Sequence, residues 1–313
     1  MQLVDVPSPL LVIVGPTAVG KTEFSIRLAE RLHGEIVSAD SRLFYRGMNI
    51  GTAKPSQADR VRVPHHLIDV VDPDETLSLA LFQKMAYQVI ADIHARGKLP
   101  LLVGGTGQYV RAIIEGWNPP KQPPDLRLRN LLEKWAKSIG PFELHRKLAL
   151  IDLEAANGID PRNLRRTVRA LEVILHTGKR FAEQRQQTTS PYSVLIVGLR
   201  RPRTELYHRI DERIDQMIAK GLIEEVQSLL ARGYSPDLPA FSAIGYRQII
   251  QYLQGKCSLE EAIVNIKRST RQFVRRQSNW FKDTDPSIHW FDMQDGTLEQ
   301  VEVLIRNHQV WRR

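Results

Sequence analysis

The segment "LVIVGPTAVGKTEFSIRLAERL" at residues 11–32 constrains the fold more than any other part of the chain. It places a glycine-rich loop between an apolar run, which predicts a strand, and an amphipathic run, which predicts a helix. The loop "GPTAVGKT" matches the pattern G-x-x-x-x-G-K-[ST]. In such a loop the backbone N–H groups turn inward on an anion, and the helix N-terminus adds partial positive charge. We therefore expect a bound diphosphate. The residues predicted to bind it are Gly15, Pro16, Thr17, Ala18, Val19, Gly20, Lys21 and Thr22.

The sequence departs from a P-loop hydrolase at the metal site. The hydroxyl of Thr22 suits Mg²⁺, the cofactor that we expect. A hydrolase also places an Asp at the end of another core strand to hold this metal. Here the strand predicted at "LPLLVGG" ends in Gly104 and Gly105. The carboxylate at a strand end is Asp40, which follows the predicted strand "EIVSA" and occupies the acceptor position of P-loop small-molecule kinases.

Predicted strands and helices alternate over the first 116 residues. The segment "SLALFQKMAYQVIADIHARG" has apolar residues at helical spacing and ends in a glycine, and another helix is predicted from about Thr106. Later strands are predicted at "SVLIVGL" and "SIHWFDM". Apolar strands joined by helices predict an α/β fold with a P-loop NTPase-like parallel sheet flanked by helices.

A basic helical insertion interrupts this pattern. Four prolines in "GWNPPKQPP" at 116–124 mark a boundary, and residues 125–187 predict helices only. We therefore expect a catalytic core formed by 1–120 and 191–313, with an insertion at 121–190. The insertion holds 14 Lys/Arg and eight Asp/Glu, so it carries +6 of the chain's net charge of +9. A second basic segment is "KRSTRQFVRR". This distribution favours an anionic partner such as nucleic acid.

The amino-acid composition further narrows the class of protein to which the chain can belong. A hydrophobic content of 42% with 25% charged residues is ordinary for a globular enzyme. No apolar run approaches the roughly 20 residues of a membrane span, so we expect no membrane partner. The single cysteine, Cys257, excludes an internal disulfide framework. His65 and His66 have no third ligand at metal-site spacing, so we expect packing or hydrogen-bonding roles. A cytoplasmic monomer is the expected form.

Eight segments of the chain, in order and spacing, resemble the motifs of one family. They are "GPTAVGKT", "SADSRLFYRGMNIGTAKP", "PHHLIDVVDP", "LLVGGTGQY", "RNLRRTVRALEV", "RIDERIDQMI", "AIGYRQI" and "RRQSNWF". The chain resembles the bacterial tRNA dimethylallyltransferases over roughly residues 10–291. Two positions depart from the family pattern: Leu43 stands where Gln is common, and Gln108 where an apolar residue is more usual.

The resemblance implies a reaction and its partners. The family transfers a dimethylallyl group from dimethylallyl diphosphate to N6 of the adenosine 3′-adjacent to the anticodon in tRNAs that read codons beginning with U, giving N6-isopentenyladenosine. The implied partners are the anticodon stem-loop of tRNA and dimethylallyl diphosphate. Asp40 would be the general base, a role worth roughly 10²–10⁴-fold in rate. Arg213 and Thr17 would act on the leaving diphosphate. The implied tRNA-binding residues are Asp40, Ser41, Arg42, Leu43, Thr106, Arg165, Arg166, Thr167, Val168 and Arg169.

Three alternatives stay open. A P-loop kinase could phosphorylate a small molecule or nucleotide, but it would need no basic insertion. A non-catalytic RNA-binding protein would have no use for the intact Lys21 and Asp40. A transferase acting on free AMP would share the chemistry, and the large basic insertion favours tRNA over AMP.

Overall fold

The computed structural model describes residues 7–120, 124–184, 186–187 and 190–308. The chain divides into two compact units. One comprises Met1–Ile114 and Ser190–Arg313, and the other comprises Glu115–Thr189. The insertion is predicted at 121–190, and residue 121, where it would begin, lies outside the described residues.

The strands and helices of the described residues are as follows. The strands are β1 (Ser8–Val14), β2 (Gly34–Ser38), β3 (His65–His66), β4 (Leu99–Val103), β5 (Trp117–Asn118), β6 (Gln186–Gln187), β7 (Tyr192–Arg200) and β8 (Ile288–Asp292). The helices are α1 (Lys21–Leu32), α2 (Gln57–Arg62), α3 (Leu79–Ala95), α4 (Gly107–Ile114), α5 (Leu126–Ile139), α6 (Pro141–Ile151), α7 (Leu153–Asn157), α8 (Leu164–Thr177), α9 (Phe181–Gln184), α10 (Arg203–Ala219), α11 (Leu222–Ala231), α12 (Tyr246–Leu253), α13 (Leu259–Gln277) and α14 (Thr297–Asn307). A 3₁₀ helix spans Pro239–Ser242.

The first unit is built on a six-stranded sheet with the order β3-β2-β4-β1-β7-β8. All of its pairings are parallel. Alternate residues of β1 enter two different cores. Leu10 and Val12 pack into the core that includes Phe82 of α3, whereas Leu11 and Ile13 pack into the core that includes Phe24 of α1. Both faces of the sheet are therefore covered, which confirms the predicted α/β fold.

The second unit consists of α5–α9 and a two-stranded antiparallel sheet of β5 and β6. Its core contains Leu132, Leu144, Leu148 and Leu171. The prediction of helices only over 125–187 is wrong at β6, and β5 lies within the proline-rich boundary. Two-residue strands are too short to produce a pattern in the sequence, and this pair joins positions about 70 residues apart.

Strand β3 carries the two consecutive histidines, and both make hydrogen bonds. The Nε2 atom of His66 lies 2.7 Å from Oε2 of Glu35, and the Nδ1 atom of His65 lies 2.7 Å from the carbonyl oxygen of Val63. These contacts confirm the hydrogen-bonding roles that the sequence predicts. Across the residues that the structure describes, no helix is long and apolar enough to cross a membrane.

Candidate active site

A cavity of about 420 Å³ lies in the first unit at the carboxyl ends of β1, β2 and β4. The loops that follow these strands form one wall, as in other open α/β sheets that bind ligands at this edge. Helices α10 and α13 form the opposite wall. The apolar side chains of that wall are Ile210, Ile214, Met217, Ile266 and Phe273.

The glycine-rich loop after β1 has a backbone that L-amino acids other than glycine rarely adopt. Gly15 has φ +149° and Gly20 has φ +109°. A Cβ atom on Gly15 would lie 2.5 Å from the carbonyl oxygen of Leu199 in β7, so only glycine fits there. Ala18 is also left-handed, at φ +66°, a conformation that costs an alanine roughly 1–2 kcal/mol. Contacts from other elements must therefore hold this loop.

Two arginines outside the loop donate hydrogen bonds to its backbone carbonyl groups. The Nε atom of Arg209, on α10, donates to the carbonyl oxygen of Ala18 at 2.9 Å. The Nε atom of Arg201, just after β7, donates to the carbonyl oxygen of Val19 at 3.0 Å. Because these carbonyl groups are bound from outside, the loop keeps the conformation of a phosphate-binding turn.

Lys21 lies at the start of α1 with its ammonium group against the loop. Its Nζ atom donates to the carbonyl oxygens of Gly15 at 2.9 Å and Pro16 at 2.8 Å. Burial lowers the pKa of Lys21 to about 8; the negative charge of Asp40 opposes this shift, and the positive charge of Arg213 adds to it. Burial also lowers the pKa of Arg213, again opposed by Asp40. The three charged groups therefore share one electrostatic environment.

The loops after β2 and β4 are joined next to Asp40. The Oδ1 atom of Asp40 accepts the N–H of Arg42 at 3.0 Å, and the N–H of Ser41 donates to Oγ1 of Thr106 at 3.4 Å. The guanidinium of Arg42 donates to Oγ of Ser242 at 3.2 Å. Asp40 is thus held in a turn of fixed geometry at the cavity wall.

The structure brings many of the predicted site residues of the first unit together, though not all of them. Those that line the cavity are Thr17, Asp40, Ser41, Arg42, Thr106 and Arg213. Leu43 is outside the lining, and its backbone N–H donates to the carbonyl oxygen of Asp40 at 3.2 Å. Thr22 is exposed on the first turn of α1. The remaining loop residues lie beside the cavity instead of in its wall.

In the second unit the predicted tRNA-binding residues differ in exposure. Arg165 and Arg166 are exposed on α8. Arg169 binds Oε2 of the buried Glu172 at 2.7 Å. Thr167 and Val168 are 0% and 2% exposed, so their side chains are buried, and a role of these two residues in tRNA binding stays a prediction. Both face the interior of the unit, where Val168 packs into its core.

Sequence reasoning missed several residues that hold the site. Gln277 at the end of α13 and Trp280 just beyond it both line the cavity. A Cβ atom on Gly104 would overlap the carbonyl oxygen of Ala39, and one on Gly105 would overlap Nε2 of Gln277, so no side chain fits at these two positions after β4. The segment "RRQSNWF" was the available signal for Gln277 and Trp280. Arg201 and Arg209 had no signal beyond their charge.

The donor set at the loop fits a magnesium ion that arrives with a diphosphate. Magnesium in such sites keeps most of its water and takes one or two protein oxygens together with phosphate oxygens. Thr22 supplies an oxygen of this kind on the first turn of α1. Within residues 7–120, 124–184, 186–187 and 190–308, no three His, Cys, Asp or Glu side chains cluster as a protein-only metal site would need.

The parallel sheet and the glycine-rich loop after β1 define an enzyme of P-loop fold, in which Thr17 of this loop and Asp40 line the same cavity. A family model described as IPP transferase matches residues 43–284, a range that begins just after Asp40. The chain is 51% identical to the tRNA dimethylallyltransferase of Thermomicrobium roseum over 94% of this chain and 89% of that protein. The chain belongs to the IPP transferase family.

Solved structures agree with this assignment. The tRNA isopentenylpyrophosphate transferase of Bacillus halodurans is 45% identical with a TM-score of 0.71, and the match covers 95% of each chain. A eukaryotic dimethylallyltransferase acting on tRNA is 29% identical with a TM-score of 0.81, over 98% of this chain and 80% of that one. These comparisons do not favour the kinase alternative.

Proposed function

We propose that this chain transfers a dimethylallyl group from dimethylallyl diphosphate to N6 of the adenosine 3′-adjacent to the anticodon, in tRNAs that read codons beginning with U. The product is N6-isopentenyladenosine. The single observation that carries this proposal is the cavity, which is lined by Thr17, Asp40 and Arg213 together with a group of apolar side chains. The relatives, which are named as dimethylallyltransferases of tRNA, support tRNA as the acceptor.

The diphosphate of the donor would bind at residues 15–22. The loop N–H groups, the Lys21 ammonium and the Arg213 guanidinium would neutralise the negative charge that develops as the bond between C1 and oxygen breaks. Preorganised charges of this kind stabilise a leaving group because they need no rearrangement during the reaction. Magnesium, held by Thr22 and the diphosphate, would supply further charge neutralisation.

The acceptor nitrogen is a weak nucleophile because its lone pair is delocalised into the adenine ring. As N6 bonds to C1 of the prenyl group, one N6 proton must leave. Asp40 supplies a carboxylate at the cavity wall that can accept it. The proton therefore goes to Asp40, the electron pair of the broken bond goes to diphosphate, and the charges balance.

The apolar side chains of α10 and α13 suit the branched five-carbon group. With the donor bound they would also keep water away from the allylic carbon that is transferred. The target adenosine must leave the stack of the anticodon loop to enter the cavity, at a cost of a few kcal/mol. Basic residues such as Arg165 and Arg166, exposed on α8, would repay part of this cost through phosphate contacts.

We also assign the reaction to a monomer in the cytoplasm. Size-exclusion chromatography with light scattering tests the monomer, for which we expect a mass near 35.8 kDa.

Ligand binding measured by calorimetry tests the proposed donor. Dimethylallyl diphosphate should bind the wild-type protein, and Lys21→Ala should weaken this binding. ATP tested in parallel should bind more weakly than the prenyl donor. Tight ATP binding without binding of dimethylallyl diphosphate would contradict the proposal and favour a kinase.

A further inference from the structure

Gln277 connects two loops of the cavity through its side-chain amide. Its Oε1 atom accepts the N–H of Thr17 at 2.9 Å, and its Nε2 atom donates to the carbonyl oxygen of Gly105 at 3.1 Å. Gln277 is 5% exposed; its hydrogen bond to Gly105 is buried, and its hydrogen bond from Thr17 is partly buried. Hydrogen bonds in such surroundings fix geometry strongly, because an amide left without its partners there would be costly.

The packing around Gln277 leaves its amide little freedom. A Cβ atom on Gly105 would overlap the Nε2 atom, so the glycine allows the amide to approach the backbone. The N–H of Trp280 donates to the carbonyl oxygen of Gln277 at 3.0 Å, which secures the end of α13. The two hydrogen-bonded loops are thus held at one separation.

A continuous set of contacts runs from the donor loop to Asp40. It begins at Thr17 and passes through the Gln277 amide to Gly105. The next residue, Thr106, accepts the N–H of Ser41, which is adjacent to Asp40. Gln277 is the element of this set that joins the donor side of the cavity to the acceptor side.

We propose that Gln277 is a positioning residue for the transfer, which sets the separation between the donor loop and the loop that supports Asp40. This inference rests on the proposed function. Gln277 does not move a proton or bear charge in the reaction. Its role is to hold the diphosphate and the carboxylate at the separation that the transfer needs. Small errors of placement slow reactions that depend on orientation.

Gln277→Met tests this role because methionine is similar in length and lacks both hydrogen-bonding groups. We expect kcat to fall by about tenfold and the Kd for pyrophosphate to rise by several-fold, as expected for the loss of two buried hydrogen bonds. The KM for tRNA should stay within about twofold of the wild-type value, because the contacts of tRNA elsewhere are unchanged.

Gly105→Ala provides a second variant that acts on the same amide from the other side. Its Cβ atom would displace the Gln277 amide, so it should reproduce the loss of kcat. The double variant should lose no more than either single variant, since both changes remove the same connection. If the loss of kcat in the double variant equals the two single losses combined, the two residues do not act through the same connection.

Gln83→Met is the matched control. Gln83 is 8% exposed and donates through Nε2 to the carbonyl oxygen of Ala112 at 2.9 Å, outside the cavity lining. It should lower Tm and leave kcat unchanged. If Gln277→Met lowers Tm to the same extent as this control and retains wild-type kcat, Gln277 is structural only and the proposal is overturned.

Tighter pyrophosphate binding by Gln277→Met would also overturn the proposal, because it would show that the amide competes with the ligand for the Thr17 N–H. Wild-type protein in the same assay separates this inference from the proposed function. If the wild type forms no prenylated tRNA, the proposed function fails. If the wild type is active and the Gln277 and Gly105 variants have the same kcat, the proposed function stands and the positioning role fails.

Discussion

Lys21 is the residue whose protonation we expect to affect binding at the proposed donor site most directly. Its ammonium is charged below a pKa of about 8 and neutral above it. The affinity for dimethylallyl diphosphate should therefore fall by several-fold as the pH rises from about 7 to about 9.5, since the charge that binds the diphosphate is lost across this range. Calorimetric titrations across this pH range measure the effect.

Lys21→Ala serves as the control for this pH dependence. The variant should bind the donor roughly tenfold or more weakly at neutral pH, because it lacks a charged donor to the diphosphate. Its remaining affinity should vary little between about pH 7 and about pH 9.5. A variant that keeps the wild-type pH profile would show that another group is responsible.

Asp40→Asn removes the carboxylate but keeps the shape of the side chain. We expect kcat to fall by roughly 10²-fold or more, because the N6 proton loses its acceptor. Binding of tRNA and of donor should stay within a few-fold, since the asparagine side-chain oxygen can still accept the N–H of Arg42. Single-turnover kinetics with saturating substrates separate the two effects. If binding is lost while the rate of the bound complex is normal, Asp40 is not the base.

At the scale of elements, α8 presents two exposed arginines to the solvent. Replacing Arg165 and Arg166 by alanine should weaken tRNA binding by several-fold at moderate salt. Each phosphate contact that is lost should reduce the salt slope of tRNA affinity by about 0.7–0.9. Donor affinity should not change, because the diphosphate site lies in the other unit. Binding assays across a salt series measure both quantities.

The control for this prediction is Arg146→Ala with Lys147→Ala on α6. Both residues already pair with Glu143, at 2.9 and 3.5 Å, and they belong to the same unit as α8. This pair of changes removes the same formal charge but should alter tRNA affinity less. An equal effect from both double variants would show that net charge matters and that the α8 arginines make no specific contact.

The helices and strands differ in how well their sequences predict them. The strands β1, β2, β4, β7 and β8 follow from apolar runs, because strands buried on both faces need apolar residues throughout. The pair β5 and β6 does not follow, because its stability depends on a partner far along the chain. On α8 the pattern of arginines is visible, but the burial of Thr167 and Val168 depends on the packing of the whole helical unit.

At the scale of the whole molecule, Glu35 links β2 and β3 to the segment that precedes β4. It is 2% exposed and binds His66, Arg96 and Lys98. Burial opposes its ionisation, but the hydrogen bonds to Arg96, His66 and Lys98 outweigh burial and lower its pKa from 4.5 to about 2. The lowered pKa stabilises the fold above pH 4.5, and this stabilisation is lost as the pH falls from 4.5 toward 2.

Glu35→Gln should therefore reduce the free energy of unfolding at neutral pH by roughly 1–3 kcal/mol. The difference from the wild type should narrow as the pH falls from about 4.5 toward about 2. Thermal denaturation across this pH range checks the prediction. Glu299→Gln is the control, since its ion pair with Arg31 is solvent-exposed and should contribute little. A pH-independent loss in Glu35→Gln would contradict the account.

The site is predictable from the sequence where its chemistry is local. The loop at residues 15–22 carries its proposed function in consecutive residues, and Asp40 stands just after a strand. Gln277 is different, because its hydrogen-bonding role depends on Thr17, which is 260 positions away in the sequence. Such a contact forms where the end of α13 meets the loops after β1 and β4, and no local pattern encodes it.

Analysis of tRNA nucleosides by mass spectrometry tests the central claim most directly. Unmodified tRNA is incubated with the protein, dimethylallyl diphosphate and Mg²⁺, then digested to nucleosides. We predict that one adenosine gains a C₅H₈ group at N6 in tRNAs that read codons beginning with U, and that Asp40→Asn leaves the tRNA unmodified. If no adenosine of tRNA is prenylated while free AMP is, or while ATP is consumed, the account is contradicted.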